Sequence, residues 1–569
     1  MSFTFIVSAA DWGRIIPLIV LAGTALLVLL ADLLLTRPAQ KQQSKSGALP
    51  VDSMEAPSNA LPFSFLPLPV LSLLGILGAF AATIVLFFVG DHQTAFNSMI
   101  GSDEGTLYAY IIILSAGFLG VLLSPGYLSR LNIPHQGEYY ALMLLAALGM
   151  MIMAAATSFL TIFLGIEMLS LALYILCGFV ARRITSQEAG MKYFLLSSFA
   201  SAFLLYGIAM TYGATGNTSF AGIRNYLSAH PSNTTLLLIG MGLLIVGFAF
   251  KVSAVPFQAW TPDVYDGAPA PVTAFMSVGT KAAALIAFAR VFDVALSPVK
   301  TTWEPVIWAI AILTIVGGNV LALAQNNVKR LLAYSSIAHA GYLLIGVVVG
   351  GTIGLSAILF YLLCYTFLNL GAFGVVSVLE KPDNSGNALS EIRGLWYRQP
   401  VLAGLLALFM IALAGFPPMA GFAAKYYIFY AALVGGHPEL LIIGVVASVL
   451  GMYYYLRVIA SMFMERETAP TPGQAQGQAP GAVPTGRRVS SRLSNAAPGG
   501  AATAVAVKPA STSRAKSSPL VKTIESKPVV AWTTWLELYI ALAGTFLMGT
   551  ILPFWLVTVA QQGAQMMLH

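Results

Sequence analysis

The sequence predicts an all-α polytopic membrane protein with about 14 transmembrane helices. Three observations carry that reading. Of 569 residues, 58% are hydrophobic and 9% charged, against about a quarter charged in a soluble domain. The apolar residues gather in blocks of about twenty, the length that spans a bilayer. Lys and Arg, finally, crowd every second loop, as expected when those loops share the cytoplasmic face.

In chain order, the block after Arg14 runs too long for a signal peptide and has no convincing small-residue cleavage site, so it reads as a retained first helix near residue 25. Gln40 to Ala60, rich in Ser, Pro and Gln, reads as a polar linker within 37–62. Helices near residues 78 and 115 complete an N-terminal region over 1–135. Five helices near 148, 170, 203, 245 and 282 make a first unit over 136–295. Five more, near 314, 340, 367, 412 and 450, make a second over 300–466. The stretch 467–528 is Pro, Gly, Ala, Ser, Gln and Arg and cannot bury enough apolar surface to offset its ordering entropy, so disorder on the cytoplasmic side is expected. A last helix near 545 lies within 529–569.

Loop charges test this count independently. Arg37, Lys41 and Lys45, then Arg130, then Arg182 and Arg183, then Lys329 and Arg330, then Lys381, Arg393 and Arg398, then the run from Arg466 to Lys527 all fall on one side. The opposite loops show only Arg224 and Lys300. The alternation requires an even helix count and puts both termini on the outer side. The net charge of +7 is then a topology signal, and no basic patch with interleaved aromatics suggests nucleic acid.

Several functions are excluded from the chain itself. Cys177 and Cys364 lie far apart in separate helices, while iron–sulfur and structural zinc sites need about four closely spaced ligands. No P-loop, dinucleotide fingerprint or metal-ligand cluster occurs. With no soluble domain in the gaps, redox chemistry and the energy to move charge must come from other chains.

Helix seven is interrupted at Val255-Pro256 and helix twelve at Phe416-Pro417-Pro418, five helices apart and therefore crossing in opposite senses. That pattern marks an inverted repeat with ion sites at its broken helices. Lys251 precedes its break and Lys425 follows its own, as inversion demands.

Ionisable residues inside apolar helices are Glu167, Lys192, Lys251, Lys281, His339, Lys425, Arg457 and Glu537. Each charge at bilayer depth costs about 2.5–3.5 kcal/mol on insertion scales, so these groups must pair or be hydrated. A carboxylate approaching a buried lysine favours its charged form, so movement of Glu167 toward or away from Lys251 would hold or release a proton. Lys281 is the next acceptor, His339 bridges the halves because imidazole both donates and accepts, and Lys425 faces the exit. Ser253, Thr280, Ser335 and Tyr426 are candidates to hold connecting waters. The competing readings are structural ion pairs for the Glu and Lys groups, snorkelling for Lys192, and a satisfied core histidine for His339. Arg457 and Glu537 read as packing charges. Asp263 and Asp266 read as caps of the turn into helix eight.

The strings FKVSAVPFQAWTPDVYDGAPAPVTAFMSVGTKAAALIAFAR, NVKRLLAYSSIAHAGYLL and SEIRGLWYRQPVLAGLLALFMIALAGFPPMAGFAAKYYIF closely resemble the subunit N family of proton-translocating NADH:quinone oxidoreductase, respiratory complex I. The resemblance covers nearly all the helices. It implies an antiporter-like fold shared with subunits L and M and with sodium/proton antiporters. It implies a proton path through Glu167, Lys251, Lys281 and Lys425, with Lys192 and His339 at further ionisable family positions. It places NADH, flavin, iron–sulfur clusters and quinone in other subunits, with none in this chain. It implies subunit M and small membrane subunits as neighbours in a bacterial inner membrane. Lys425 stands where subunit M usually has glutamate, and the long lateral helix of subunit L does not follow helix fourteen. Gln258 departs from a common family histidine, and the loop before helix fourteen is longer than usual. The alternative is a sodium/proton antiporter subunit with no redox partner.

Overall fold

The computed structural model describes residues 8–45, 67–91, 93–133, 136–230, 234–464 and 530–568. The 467–528 segment and most of the 37–62 linker therefore lie outside the described residues. Within them the chain is helical, with isolated bridges and no strand.

The helices, in order, are α1 (Ile16–Lys45), α2 (Pro67–Val89), α3 (Glu104–Arg130), α4 (Gln136–Ala154), α5 (Phe159–Cys177), α6 (Ile184–Thr215), α7 (Thr235–Val252), α8 (Trp260–Gly267), α9 (Ala270–Ala289), α10 (Lys300–Leu323), α11 (Val328–Val349), α12 (Gly351–Leu379), α13 (Pro400–Ala414), α14 (Ala420–Val434), α15 (Pro438–Phe463), α16 (Trp532–Thr550) and α17 (Pro553–Leu568). Among the described residues 12 helices are long and apolar enough to cross a membrane, and α16 with α17 makes a thirteenth candidate. The two shorter apolar helices α13 and α14 flank Phe416-Pro417-Pro418 and together supply the remaining crossing expected there.

Two expectations need correction. The first helix continues to Lys45, into the stretch read as linker; Gln and Lys have good helix propensity and extend a helix already nucleated upstream. The last crossing is bent by 86° between Thr550 and Pro553, because proline at 553 offers no amide hydrogen to the preceding turn.

Both breaks appear where expected. α7 ends at Val252 with Ser253 in the left-handed region (φ 65°), and the chain resumes as α8. α13 ends at Gly415 (φ 95°), and α14 begins at Ala420. Val255-Pro256 and Pro417-Pro418 are cis. The inverted pairing is visible in the packing: α4 lies on α5 as α10 lies on α11, and α6 on α7 as α12 on α14. It is visible in the loops as well. Ser158, which caps α5, bridges Ser219, and Asn327, which caps α11, bridges Ala388. Each bridge has two amide–carbonyl bonds, Phe159 to Thr218 and Phe220 to Thr157 in one half, Val328 to Asn387 and Leu389 to Asn326 in the other.

The loop-charge reading also has a physical counterpart. Arg130 donates to the carbonyls of Ser377 (2.5 Å) and Val378 (2.8 Å), and Arg183 to that of Pro382 (3.1 Å), so three of the basic loops converge. The other side is less bare than expected. Arg14 and Arg290 lie there too, each neutralised: Arg14 is 3.0 Å from Asp91, and Arg290 2.5 Å from Asp103.

Candidate functional site

α9 is enclosed along its whole length. It carries Lys281, only 1% exposed, and Lys251, His339 and Lys425 on other helices are buried as well. None points into lipid. Burial of these groups is tolerable only with polar partners, and each has them.

Lys251 occupies the last turn of α7, where the unpaired carbonyl end of the helix favours a cation. Its Nζ donates to Ser170 Oγ (2.7 Å) and Ser197 Oγ (2.7 Å) and sits 5.8 Å from the Tyr193 ring centroid. Glu167 lies one turn before Ser170 on α5, with its charge within reach of Lys251. It forms no ion pair with it, and Glu167 Oε1 is buried without a hydrogen-bond partner. Serine hydroxyls, not the expected carboxylate, hold this ammonium.

Lys281 Nζ donates to both the carbonyl and the hydroxyl of Ser336 (2.5 Å each). Ser335, next along α11, meets Tyr455 OH at 2.5 Å. Tyr455 OH also lies 3.2 Å from His339 Nε2, and His339 Nδ1 is 2.7 Å from Tyr361 OH. The imidazole thus stands between two phenols, near Lys281 on one side and Tyr342 on the other, at 5.9 Å between rings. Lys425 Nζ lies over that Tyr342 ring at 5.5 Å and donates to Ala414 O (3.0 Å) and Ser448 Oγ (2.8 Å). The Ala414 carbonyl is available because α13 stops there. No direct hydrogen bond joins Lys251 to Lys281 among the described residues.

Other expected residues fall differently. Tyr426 is 63% exposed and faces away from the site, one residue round the helix from Lys425. Thr280 Oγ1 donates to Met276 O and Ser253 Oγ accepts from Thr261, so both serve local helix structure. Gln258 Oε1 is buried at the first break without a partner. Arg457 donates to the carbonyl of Leu323 (3.0 Å), capping α10. Glu537 is buried, both oxygens without hydrogen-bond partners.

Lys192 is off the buried axis. It is half-exposed, 2.7 Å from Glu188 and 2.9 Å from Asp263. Asp263 and Asp266 are not caps: Pro269 precedes α9 with no side-chain cap. Asp263 Oδ1 accepts from Arg330 (2.9 Å), and Asp266 from Asn327 (3.0 Å). Burial raises the proton affinity of Asp263, but its bonds from Lys192 and Arg330 outweigh that and hold it below the ordinary carboxylate range. Beside them Glu380 is fully buried, bound by Arg183, by Lys329 (3.0 Å) and by Tyr127 OH (2.7 Å). Burial alone would raise Glu380, yet Lys329 and Arg183 keep it lowered. Lys329 and Arg330 sit at the positive end of α11, so carboxylates are needed there.

Ser170, Ser197, Ser336, Ser448, Tyr342, Tyr361 and Tyr455 were not anticipated. Hydroxyls carry no charge signal in a sequence, and the hint available was their helical spacing from ionisable residues, such as Ser170 three after Glu167.

Two inverted five-helix units with a buried lysine at each broken helix define an antiporter-type membrane subunit. The family described as NADH:quinone oxidoreductase/Mrp antiporter, TM, matches residues 156–451. NADH-quinone oxidoreductase subunit N of Trichlorobacter lovleyi is 47% identical over 396 residues, 69% of this chain and 81% of that protein. A chain of respiratory complex I from Thermus thermophilus superposes with TM-score 0.63 at 33% identity, covering 80% of this chain and 91% of that one. A chain of the Mrp complex from a Dietzia species shares the fold, with TM-score 0.69 at 20% identity over 96% of this chain and 97% of its own. The chain belongs to the NADH-quinone oxidoreductase subunit N family.

Proposed function

We propose that this chain carries protons across the bacterial inner membrane while quinone reduction proceeds in partner subunits of an NADH:quinone oxidoreductase. Protons pass among Lys251, Lys281, His339 and Lys425, and Glu167 tunes Lys251 by approaching or withdrawing. Subunit M and small membrane subunits are its neighbours, and both termini face outward. NADH, flavin, iron–sulfur clusters and quinone are held by other subunits. Lys192 acts at the rim of the path.

The observation that supports this most is the solvation of the three lysines. Each ammonium is bound by hydroxyls or carbonyls with no carboxylate in contact. A tight buried ion pair would lock a proton in place, whereas a hydroxyl-bound lysine can lose its proton without stranding a negative partner. The His339 relay, with a phenol on each ring nitrogen, supports transfer between the halves. The test is Lys281→Ala in the assembled complex in vesicles, with quinone reduction and proton uptake followed together. Pumping should fall well below wild type; unchanged stoichiometry and rate would refute the path. The 47% identity to a subunit N favours this reading over a sodium/proton antiporter without a redox partner.

A further inference from the structure

The charges at the basic ends of the helices form two bridges of different character. The Glu380 bridge is dry: its side chain and that of Lys329 are fully buried, and Arg183 is 5% exposed. The Asp263 bridge is wet, with Lys192 40%, Asp263 37% and Arg330 32% exposed. Half-exposed ion pairs add little to stability, so convergence of two cations on Asp263 is not explained as a staple. Its placement is more informative.

Asp263 lies on α8, the short half of the first broken helix. One oxygen takes Lys192 of α6, in the first unit; the other takes Arg330 of α11, in the second. At one end of this link, Trp260, three residues before Asp263, stacks on Tyr193 at 4.9 Å, and Tyr193 is the ring under the Lys251 ammonium. Trp260 Nε1 also donates to Phe250 O (3.1 Å), beside Lys251. At the other end, α11 carries Ser336, which holds Lys281, and His339. α8 thus touches the Lys251 site through Trp260 and, through Arg330, the helix whose Ser336 holds Lys281. The Asp263 link is one polar connection between the two units, beside the bonds of Asn327 and Lys329 to Asp266.

We propose that Asp263 is a positioning residue that couples the two inverted units, sharing its carboxylate between Lys192 and Arg330 so that the state of one broken-helix site biases the other. The inference rests on the proton-path reading above. A claim of coupling needs non-additivity as its warrant. The experiment uses the assembled complex in vesicles and reads protons moved per quinone reduced, a ratio that loss of folded complex does not change. D263N and R330Q should each lower the ratio; the D263N/R330Q double variant should lower it no further than the more severe single; D263E should restore it. Where D263N fails to assemble, the charge-swapped D263R/R330D pair serves, and should retain more coupling than either of its singles. An unchanged ratio in D263N, or single effects that multiply in the double variant, overturns the proposal. K251A separates the two readings: if it leaves pumping intact, the proton path itself fails. If K251A stops pumping while D263N does not alter the ratio, only the coupling role falls.

Discussion

The two broken helices solve one problem with different parts. In both, a lysine sits against the carbonyl end of the first half-helix: Lys251 within the last turn of α7, Lys425 reaching back from α14 to the Ala414 carbonyl at the end of α13. The break supplies backbone acceptors at membrane depth, which a continuous helix would consume in its own bonds. The surroundings then diverge. Lys251 has two serines and a carboxylate, Glu167, nearby on α5. Lys425 has one serine, and the corresponding helix α11 carries His339. Inversion conserves the cation at the break, while only Lys425 takes a backbone acceptor and the titratable neighbour is an acid in one half and a base in the other.

The largest expected effect sharpens that contrast. Lys251→Ala and Lys425→Ala should each slow quinone-linked pumping by about tenfold or more, equivalent to about 1.4 kcal/mol in the barrier. E167A should slow it comparably through Lys251 alone, which a pumping assay of E167A, K251A and the double variant would show as non-additive. Pumping in K425A equal to wild type would break the equivalence of the halves.

The dry bridge that joins them is read in stability rather than in pumping rate. Glu380→Gln leaves Arg183 and Lys329 buried without a carboxylate, and loss of one partner from such a cluster costs about 3–5 kcal/mol. The sign with pH follows from the lowered proton affinity of Glu380. Its contribution is present above the ordinary value of 4.5 and is lost as pH falls through the lower folded value. Thermal melts of the purified complex should show wild type losing stability over that acid range and E380Q starting low and changing less.

A smaller effect separates the lysine cages. S170A/S197A removes both side-chain acceptors of Lys251, while S448A leaves Lys425 its Ala414 carbonyl. A hydrogen bond to a charged group is worth about 1.5–3 kcal/mol, so the double variant should impair pumping more than S448A across a pH series. The smallest contrast lies in the breaks. Gly415→Ala places a Cβ 3.1 Å from Lys425 Cδ at φ +95° and should lower stability by about 1–2 kcal/mol. Ser253→Gly should be near neutral, since relief of about 1 kcal/mol of left-handed strain is offset by losing its bond from Thr261. Melting both variants checks the difference, a lowered midpoint for Gly415→Ala and an almost unchanged one for Ser253→Gly.

Much of the fold was legible because lipid enforces it. Blocks of spanning length, prolines at matched helices and alternating basic loops are all one-dimensional signals, and the structure has its breaks where the prolines put them. The bend at Pro553 was missed because proline often lies inside a membrane helix with only a kink. Of the site, the lysines and His339 stood out because charge in an apolar run is conspicuous. Tyr426 was misplaced because one residue of rotation, about 100°, decides whether a side chain meets the site or the bilayer. Lys192 and Asp263 were read separately, as a path residue with snorkelling as its competitor and as a cap, since residues 71 apart in sequence give no sign of a 2.9 Å contact.

The sequence by itself determined which residues must be buried cations and where the helices break, because the cost of charge and of unpaired backbone in hydrocarbon leaves few alternatives. Tertiary structure decided what solvates those cations. Ser170 and Ser197 rather than Glu167 hold Lys251, and Asp263 joins Lys192 to Arg330, because hydrogen bonds form among side chains that packing brings within about 3 Å, and those side chains come from helices distant in the chain.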